Sequence, residues 1–146
     1  MKFRFVWIGK TKDVNWRALQ DEYCRRLSHF VKFKITEIKD AGKETESKRI
    51  LENVNQSAFV CLLDVKGRSL SSPDLAKELE KWQNRGLKEV TFIIGGAEGV
   101  ASEVVETADI SLSLSFLTFT HDMARVVLLE QLYRAFTIIK GFPYQK

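Results

Sequence analysis

With 146 residues, 45% of them hydrophobic, the chain is long enough to bury one core without metal or disulfide staples, and a single domain over residues 1–146 is expected. No stretch approaches the ~20 consecutive apolar residues of a membrane span, and the apolar part of "MKFRFVWIGK" is too short for a signal peptide, so a soluble, cytoplasmic protein is expected. The net charge of +4 is uneven: residues 1–50 carry 13 Lys or Arg against 7 Asp or Glu and the rest 10 against 12, so the first third either faces a polyanion or is a solvated surface.

"KFRFVWIG", from Lys2, mixes alternation with aromatic and β-branched residues and reads as a strand. "VNWRALQDEYCRRLSHF" follows with Trp16, Leu19, Tyr23 and Leu27 at helical spacing. "VKFKITEIKD" sets Phe33, Ile35 and Ile38 against charges as a second strand, and "ETESKRILENVN" reads as a polar helix. "SAFVCLLDV" is a nearly unbroken apolar run, the pattern of a strand buried on both faces. In "SLSSPDLAKELEKWQNRG", Ser72 suits the N-cap, Pro73 the first turn, Leu75, Leu79 and Trp82 one face, and Gly86 the stop. "EVTFIIGG" is a fourth strand, "SEVVETAD" a short helix, and "ISLSLS" a strand with small polar residues on one face. "DMARVVLLEQLYRAFTIIKG" is a long last helix halted by Gly141 and Pro143. Strictly alternating strands and helices imply an α/β sandwich on a mostly parallel sheet.

Cys24 and Cys61 have no CxxC spacing and no histidine nearby, so both read as packing thiols and no metal site is expected. His29 reads as a helix decoration, whereas His121 stands beside a polar segment. Ligands of parallel sheets bind beyond the carboxyl ends of the strands, which singles out "LLDVKGRSLS", "IIGGAEGVAS" and "LSFLTFTHD". Gly95, Gly96 and Gly99 permit positive φ and close approach, and a helix starting near Val100 would direct N–H groups at the same place. A phosphate cradle fails on detail: there is no G-x-G-x-x-G, no Lys-Ser/Thr after the glycines, and Glu98 would repel an anion. A neutral or cationic ligand with polar edges fits better, and a purely structural turn remains the alternative reading. The last helix is apolar around most of its circumference, which predicts burial on several sides and a subunit interface through Leu128 and Leu132. Arg25 and Arg26 are the candidate phosphate contacts of the basic third.

"LLDVKGRSLSS", "FIIGGAEGV" and "LSLSFLTFTHDMARVVLLEQLYRAFTIIKGFPY", with "VWIGK" and "EYCRRL" ahead of them, together resemble the RlmH family of SPOUT methyltransferases over essentially the full chain. The resemblance implies a SPOUT-type α/β fold with a C-terminal deep trefoil knot, and S-adenosyl-L-methionine held in a bent shape by the three loops. It implies cofactor contacts at Leu63, Gly95, Leu114, Ser115, Phe116, Leu117, Thr118 and Phe119. It further implies a homodimer that methylates N3 of a pseudouridine in large-subunit (23S) ribosomal RNA on the assembled ribosome, one subunit's tail completing the other's site. His121, Arg125 and Tyr144 would place the substrate or support the site. Two positions depart from the family pattern. Gln145 stands where a tail histidine is usual, and Thr120 where proline is common, which implies a looser loop. A SPOUT enzyme acting on another RNA, a non-catalytic RNA-binding relative and, outside the family, a flavodoxin-like nucleotide binder are the competing readings. On the close-approach argument alone, Gly95→Val should block cofactor binding and leave the fold intact.

Overall fold

Alternation along β1 (Lys2–Ile8) divides the molecule into layers, because successive strand side chains point to opposite faces. Phe3, Phe5 and Trp7 enter the larger core, while Val6 and Ile8 enter the smaller one. The computed structural model describes residues 1–144, so the tail position Gln145 lies outside the described residues. β1 is joined by β2 (Lys32–Ile38), β3 (Phe59–Ser69), β4 (Glu89–Ile94) and β5 (Ile110–Ser113) in the order β2-β1-β4-β3-β5, and every neighbouring pair is parallel. Helices α1 (Val14–Leu27), α3 (Ser72–Asn84) and α5 (His121–Lys140) cover the larger core, and α2 (Lys43–Glu52) and α4 (Ser102–Thr107) the smaller. β4 is buried along its whole length, as its apolar run requires.

Several details differ from the sequence-based expectations, each for a local reason. Ser71, not Ser72, caps α3 by accepting a hydrogen bond from the Asp74 amide at 3.1 Å. The Ser72 hydroxyl is spent elsewhere, donating to Gln131 Oε1 at 2.6 Å. On α1, Leu19 is 44% exposed whereas Gln20 is buried, because the Thr11 hydroxyl at the head of the helix donates to Gln20 Oε1 at 2.6 Å and draws that side chain inward. Ile38 faces the smaller core, across the sheet from Phe33 and Ile35, since an odd spacing reverses the face. Thr120 does not loosen the last loop: its hydroxyl accepts from the Met123 amide at 3.4 Å and caps α5.

Helix α5 corrects the interface expectation. Leu128 and Leu132 are 0% exposed within one chain, packed among α1, α3 and the sheet. Charge at these two positions would therefore break the core of one chain before any interface, while Val127 and Ile139 on the same helix remain partly exposed. Both thiols are packed as expected, burial pushing Cys61 up to about 12 and Cys24 up to about 11.

β3 also runs further than its apolar stretch. Leu63 and Arg68 both pair with Leu112 of β5, so residues 64–67 bulge out of the ladder between them. At the end of that bulge Gly67 lies against the β5 backbone: a Cβ there would stand 2.6 Å from the carbonyl carbon of Ser111. Backbone on both sides leaves nothing that can yield. Gly67→Ala is therefore expected to lower stability by about 1–3 kcal/mol, read as a shifted midpoint in chemical denaturation.

Candidate functional site

Three segments converge at the carboxyl end of the sheet: the 64–67 bulge, the glycine turn after β4, and the loop from β5 to α5. Between them lies a cleft of 460 Å³, within the about 300–1,000 Å³ usual for small-molecule sites. Leu63, Gly95, Thr118, Phe119 and His121 all line it. Leu114 lines an adjoining cavity with Leu70, Leu112 and Val127 instead. Ser115 closes its loop on itself, its hydroxyl accepting from the Leu117 amide and its carbonyl from the Ser113 hydroxyl, both at 3.0 Å. Phe116 and Leu117, at the loop tip, are 86% and 72% exposed.

The glycines serve in two different ways. Of Gly95, Gly96 and Gly99, only Gly99 has positive φ, at 79°, and its amide donates to the Gly96 carbonyl at 3.0 Å to close the turn. Gly95 and Gly96 are required by close approach. A Cβ on Gly95 would meet Val100 Cγ1 at 2.7 Å and one on Gly96 would meet Glu46 Oε1 at 2.5 Å. The expectation that Gly95→Val spares the fold is thereby corrected, since the new side chain collides first with the protein's own turn. Helix α4 begins at Ser102, the first residue of the expected "SEVVETAD" helix, and the Ala101 amide ahead of it is already taken by the Ser47 hydroxyl at 2.9 Å.

Ser47 and Glu46 are site-shaping residues that the sequence reading missed. Glu46 is buried, and its Oε2 accepts from the amides of Ala41 and Gly42 at 2.9 and 3.0 Å while Oε1 faces Gly96. It thereby ties the turn after β2 to the glycine turn. Nothing in the spacing of "KETES" separates it from solvent-facing Glu44. Asp64 and Glu98 also line the cleft, against one cation, Lys66. A neighbouring cavity of 240 Å³ adds Asp40, Lys43 and Glu46 and shares Glu98 and His121 with the cleft. The acidic balance favours a cationic or neutral ligand over a phosphate.

Arg125 and Tyr144 do not line the cleft. The Arg125 guanidinium is buried above the Trp7 ring, 4.8 Å from its centroid, and donates to the Thr11 hydroxyl at 2.9 Å and to the Ile8 carbonyl. Burial lowers its affinity for the proton, and Asp122 at 3.7 Å opposes that effect. The arrangement braces the end of β1 and the start of α1 against α5. Tyr144 packs on its own chain, donating to Glu130 Oε2 at 2.8 Å, 3.4 Å from the Tyr23 hydroxyl and edge-on to Tyr133. Burial and those hydrogen bonds push its phenol well above the ordinary range. Arg25 and Arg26 share one partner, Glu22, at 2.8 and 2.6 Å, with the Arg25 side chain exposed.

Among the described residues no helix is long and apolar enough to cross a membrane. The family model described as "Predicted SPOUT methyltransferase" matches residues 1–145. A protein named ribosomal RNA large subunit methyltransferase H from Halothermothrix orenii is 42% identical over 159 aligned positions, covering 100% of both chains. Proteins of the same name from Desulfotalea psychrophila and Streptococcus pneumoniae are 42% and 38% identical, again over 100% of both chains. Among solved structures, a probable methylase family protein from Haemophilus influenzae superposes with a TM-score of 0.60 at 12% identity, over 99% of this chain and 70% of that one. A methylase family protein from Neisseria gonorrhoeae does so at 0.55 and 12% identity, over 99% and 95%. These two likenesses bear on the fold alone.

The buried guanidinium generates a prediction. Arg125→Ala removes the donors to a buried carbonyl and a buried hydroxyl and leaves a void over Trp7. A loss of about 2–4 kcal/mol in urea denaturation is expected. A variant as stable as the parent would show that the network braces nothing.

Proposed function

Because the chain belongs to the SPOUT methyltransferase family, we propose that it transfers a methyl group from S-adenosyl-L-methionine to N3 of a pseudouridine in large-subunit ribosomal RNA, on the assembled ribosome and as a homodimer. The observation that carries the cofactor assignment is the cleft itself, walled by backbone at Gly95 and Gly96 and edged by Asp64 and Glu98. Its donor set suits a sulfonium with an adenine whose polar edge seeks peptide groups, and not a polyphosphate. When bound, the cofactor supplies an electrophilic methyl group.

The remaining work falls to the chain. Leu63, Phe119 and the amide groups from Gly95 onward would hold the adenosine, with Thr118 and the 114–117 segment closing over it. Asp64 and Glu98 would draw positive charge into the cleft and resist anions. His121, shared by the cleft and its neighbouring cavity, stands where the two reactants would meet and is proposed to orient the pyrimidine. Holding reactants in line is the larger contribution to such a transfer, and misplacement by 1 Å can cost about 10²-fold. Arg125 acts from behind the site by fixing the chain segments around it. The tail carrying Tyr144 is proposed to complete the site of the neighbouring subunit, and the C-terminal segment is proposed to be knotted.

Radiolabelled methyl transfer to ribosomes from a strain lacking the modification, with nucleoside mass spectrometry, is the direct test. Label in N3-methylpseudouridine of large-subunit RNA is expected; label only in transfer RNA, or none, would overturn the proposal. In the same assay His121→Ala is expected to lower kcat/KM by about 10- to 100-fold with cofactor affinity unchanged by calorimetry. Light scattering at sub-micromolar concentration is expected to give twice the chain mass of 16.8 kDa, and an active monomer would refute the shared site.

A further inference from the structure

The methyl-transfer cleft occupies the carboxyl end of the sheet, yet the densest unpaired positive charge lies at the opposite end. Lys2 pairs with Lys32 and Arg4 with Lys34 in the parallel register of β1 and β2. Alternation puts all four on the face opposite Phe3, Phe5, Phe33 and Ile35, which enter the larger core. Neighbouring strands lie about 4.8 Å apart and alternate residues about 6.6 Å apart, so the cations form a two-by-two grid. Like charges directly opposite one another weaken a sheet. The smaller core begins only at Val6, and Lys2, Lys32 and Lys34 are exposed.

Little inside the protein offsets this charge. Glu89 is the acid in the 280 Å³ hollow over the grid, and it is already engaged, accepting from Asn55 Nδ2 at 2.6 Å and lying 4.0 Å from Lys2 Nζ. Among the described residues Arg4, Lys32 and Lys34 make no ion pair. Beneath the exposed lysines the same face carries buried polar atoms. Arg4 Nε, Thr91 Oγ1 and Thr36 Oγ1 are buried without a hydrogen-bond partner among the described residues. Thr91 is opposite Arg4 in register, and Thr36 is opposite Val6, the next residue of the same face. These three atoms are closed to solvent, so it is the exposed ammonium groups of Lys2, Lys32 and Lys34 that an anion would meet.

We propose that Lys2, Arg4, Lys32 and Lys34 form a phosphate-binding patch that grips the ribosomal RNA backbone about 13–20 Å from the methyl-transfer cleft, four to six residues along the strands at about 3.3 Å each. The patch rests on the RNA-methyltransferase reading for its partner. Flexible cations read phosphate position and not base sequence, and the one amide side chain lining the hollow, Asn55, is donating to Glu89. The grid thus anchors the enzyme while the cleft selects the nucleotide. Its four cations are part of the basic excess of the first third of the chain.

The test compares the full-length protein with Lys32→Gln/Lys34→Gln, two exposed positions outside the cleft, in filter binding to ribosomes and to free large-subunit RNA across a salt series. About tenfold weaker binding to both is expected near 0.15 M salt, with the log–log salt slope smaller by about 2, one for each phosphate that is no longer neutralised. Cofactor affinity and methyl transfer at saturating ribosomes should be retained, and the thermal midpoint unchanged or raised as like-charge repulsion is relieved. Parental affinity and slope in the variant would overturn the patch and leave the methyltransferase reading standing. Weaker binding to ribosomes alone, with free RNA unaffected, would overturn the phosphate assignment in favour of a ribosomal protein contact. A parent that binds neither particle would overturn both the patch and the reading it rests on.

Discussion

The site depends on three glycines packed against their neighbours more closely than any larger residue would permit. Gly67 brings the bulge of β3 onto β5, and Gly95 and Gly96 bring the turn after β4 onto Val100 and Glu46. In each case the first added carbon would stand within 2.7 Å of another atom. Close-packed interiors do not absorb such overlaps, so the three loops hold their spacing only while these positions stay bare. The cleft is the space left over, and its walls present peptide groups because side chains have been excluded from them.

That crowding is held in place by polar groups the solvent does not reach. Arg125 passes hydrogen bonds to Ile8 and Thr11, and Thr11 passes one to Gln20, so the end of β1, the start of α1 and α5 are joined through one buried chain. On the other face, Glu46 and Ser47 take up amides from the turns before α2 and before α4. Hydrogen bonds among buried groups favour one arrangement of neighbouring loops, because alternatives leave more donors or acceptors bare, Arg125 Nε being already without a partner among the described residues. The precision required of a methyl-transfer geometry is thus supplied from behind the cleft, by residues that need never touch a substrate.

The charges are segregated along the strands. Acidic groups gather at the carboxyl end, where a sulfonium cofactor is proposed to bind, and unpaired cations stand at the amino end, where an RNA backbone is proposed to rest. A net charge of +4 conceals this division. Small acidic sites within basic proteins can take a cationic cofactor while the far surface attracts a polyanion, since each field is screened within about 8–10 Å at ordinary salt.

Periodicity and composition were sufficient for all ten elements and for the α/β class, because the 2.0 and 3.6 repeats report directly on which residues must leave water. The motif set carried the family, and the loops at the strand ends announced the cleft. Local rules failed where a distant partner decided the outcome. Gln20 is buried and Leu19 exposed because of Thr11, Ser72 leaves its cap for Gln131, and the apolar flanks of α5 are consumed by α1 and α3. Arg125 reads in the sequence like any surface cation, and only the packing of α5 over Trp7 makes it a buried brace. Glu46 and Gly67 carry no local signature at all, and their roles exist only because chain segments far apart in sequence come to lie against each other. The sequence determined what must be buried and in which order; the tertiary structure decided which polar groups were buried along with it, because a hydrogen bond across the fold is invisible until both of its ends are in place.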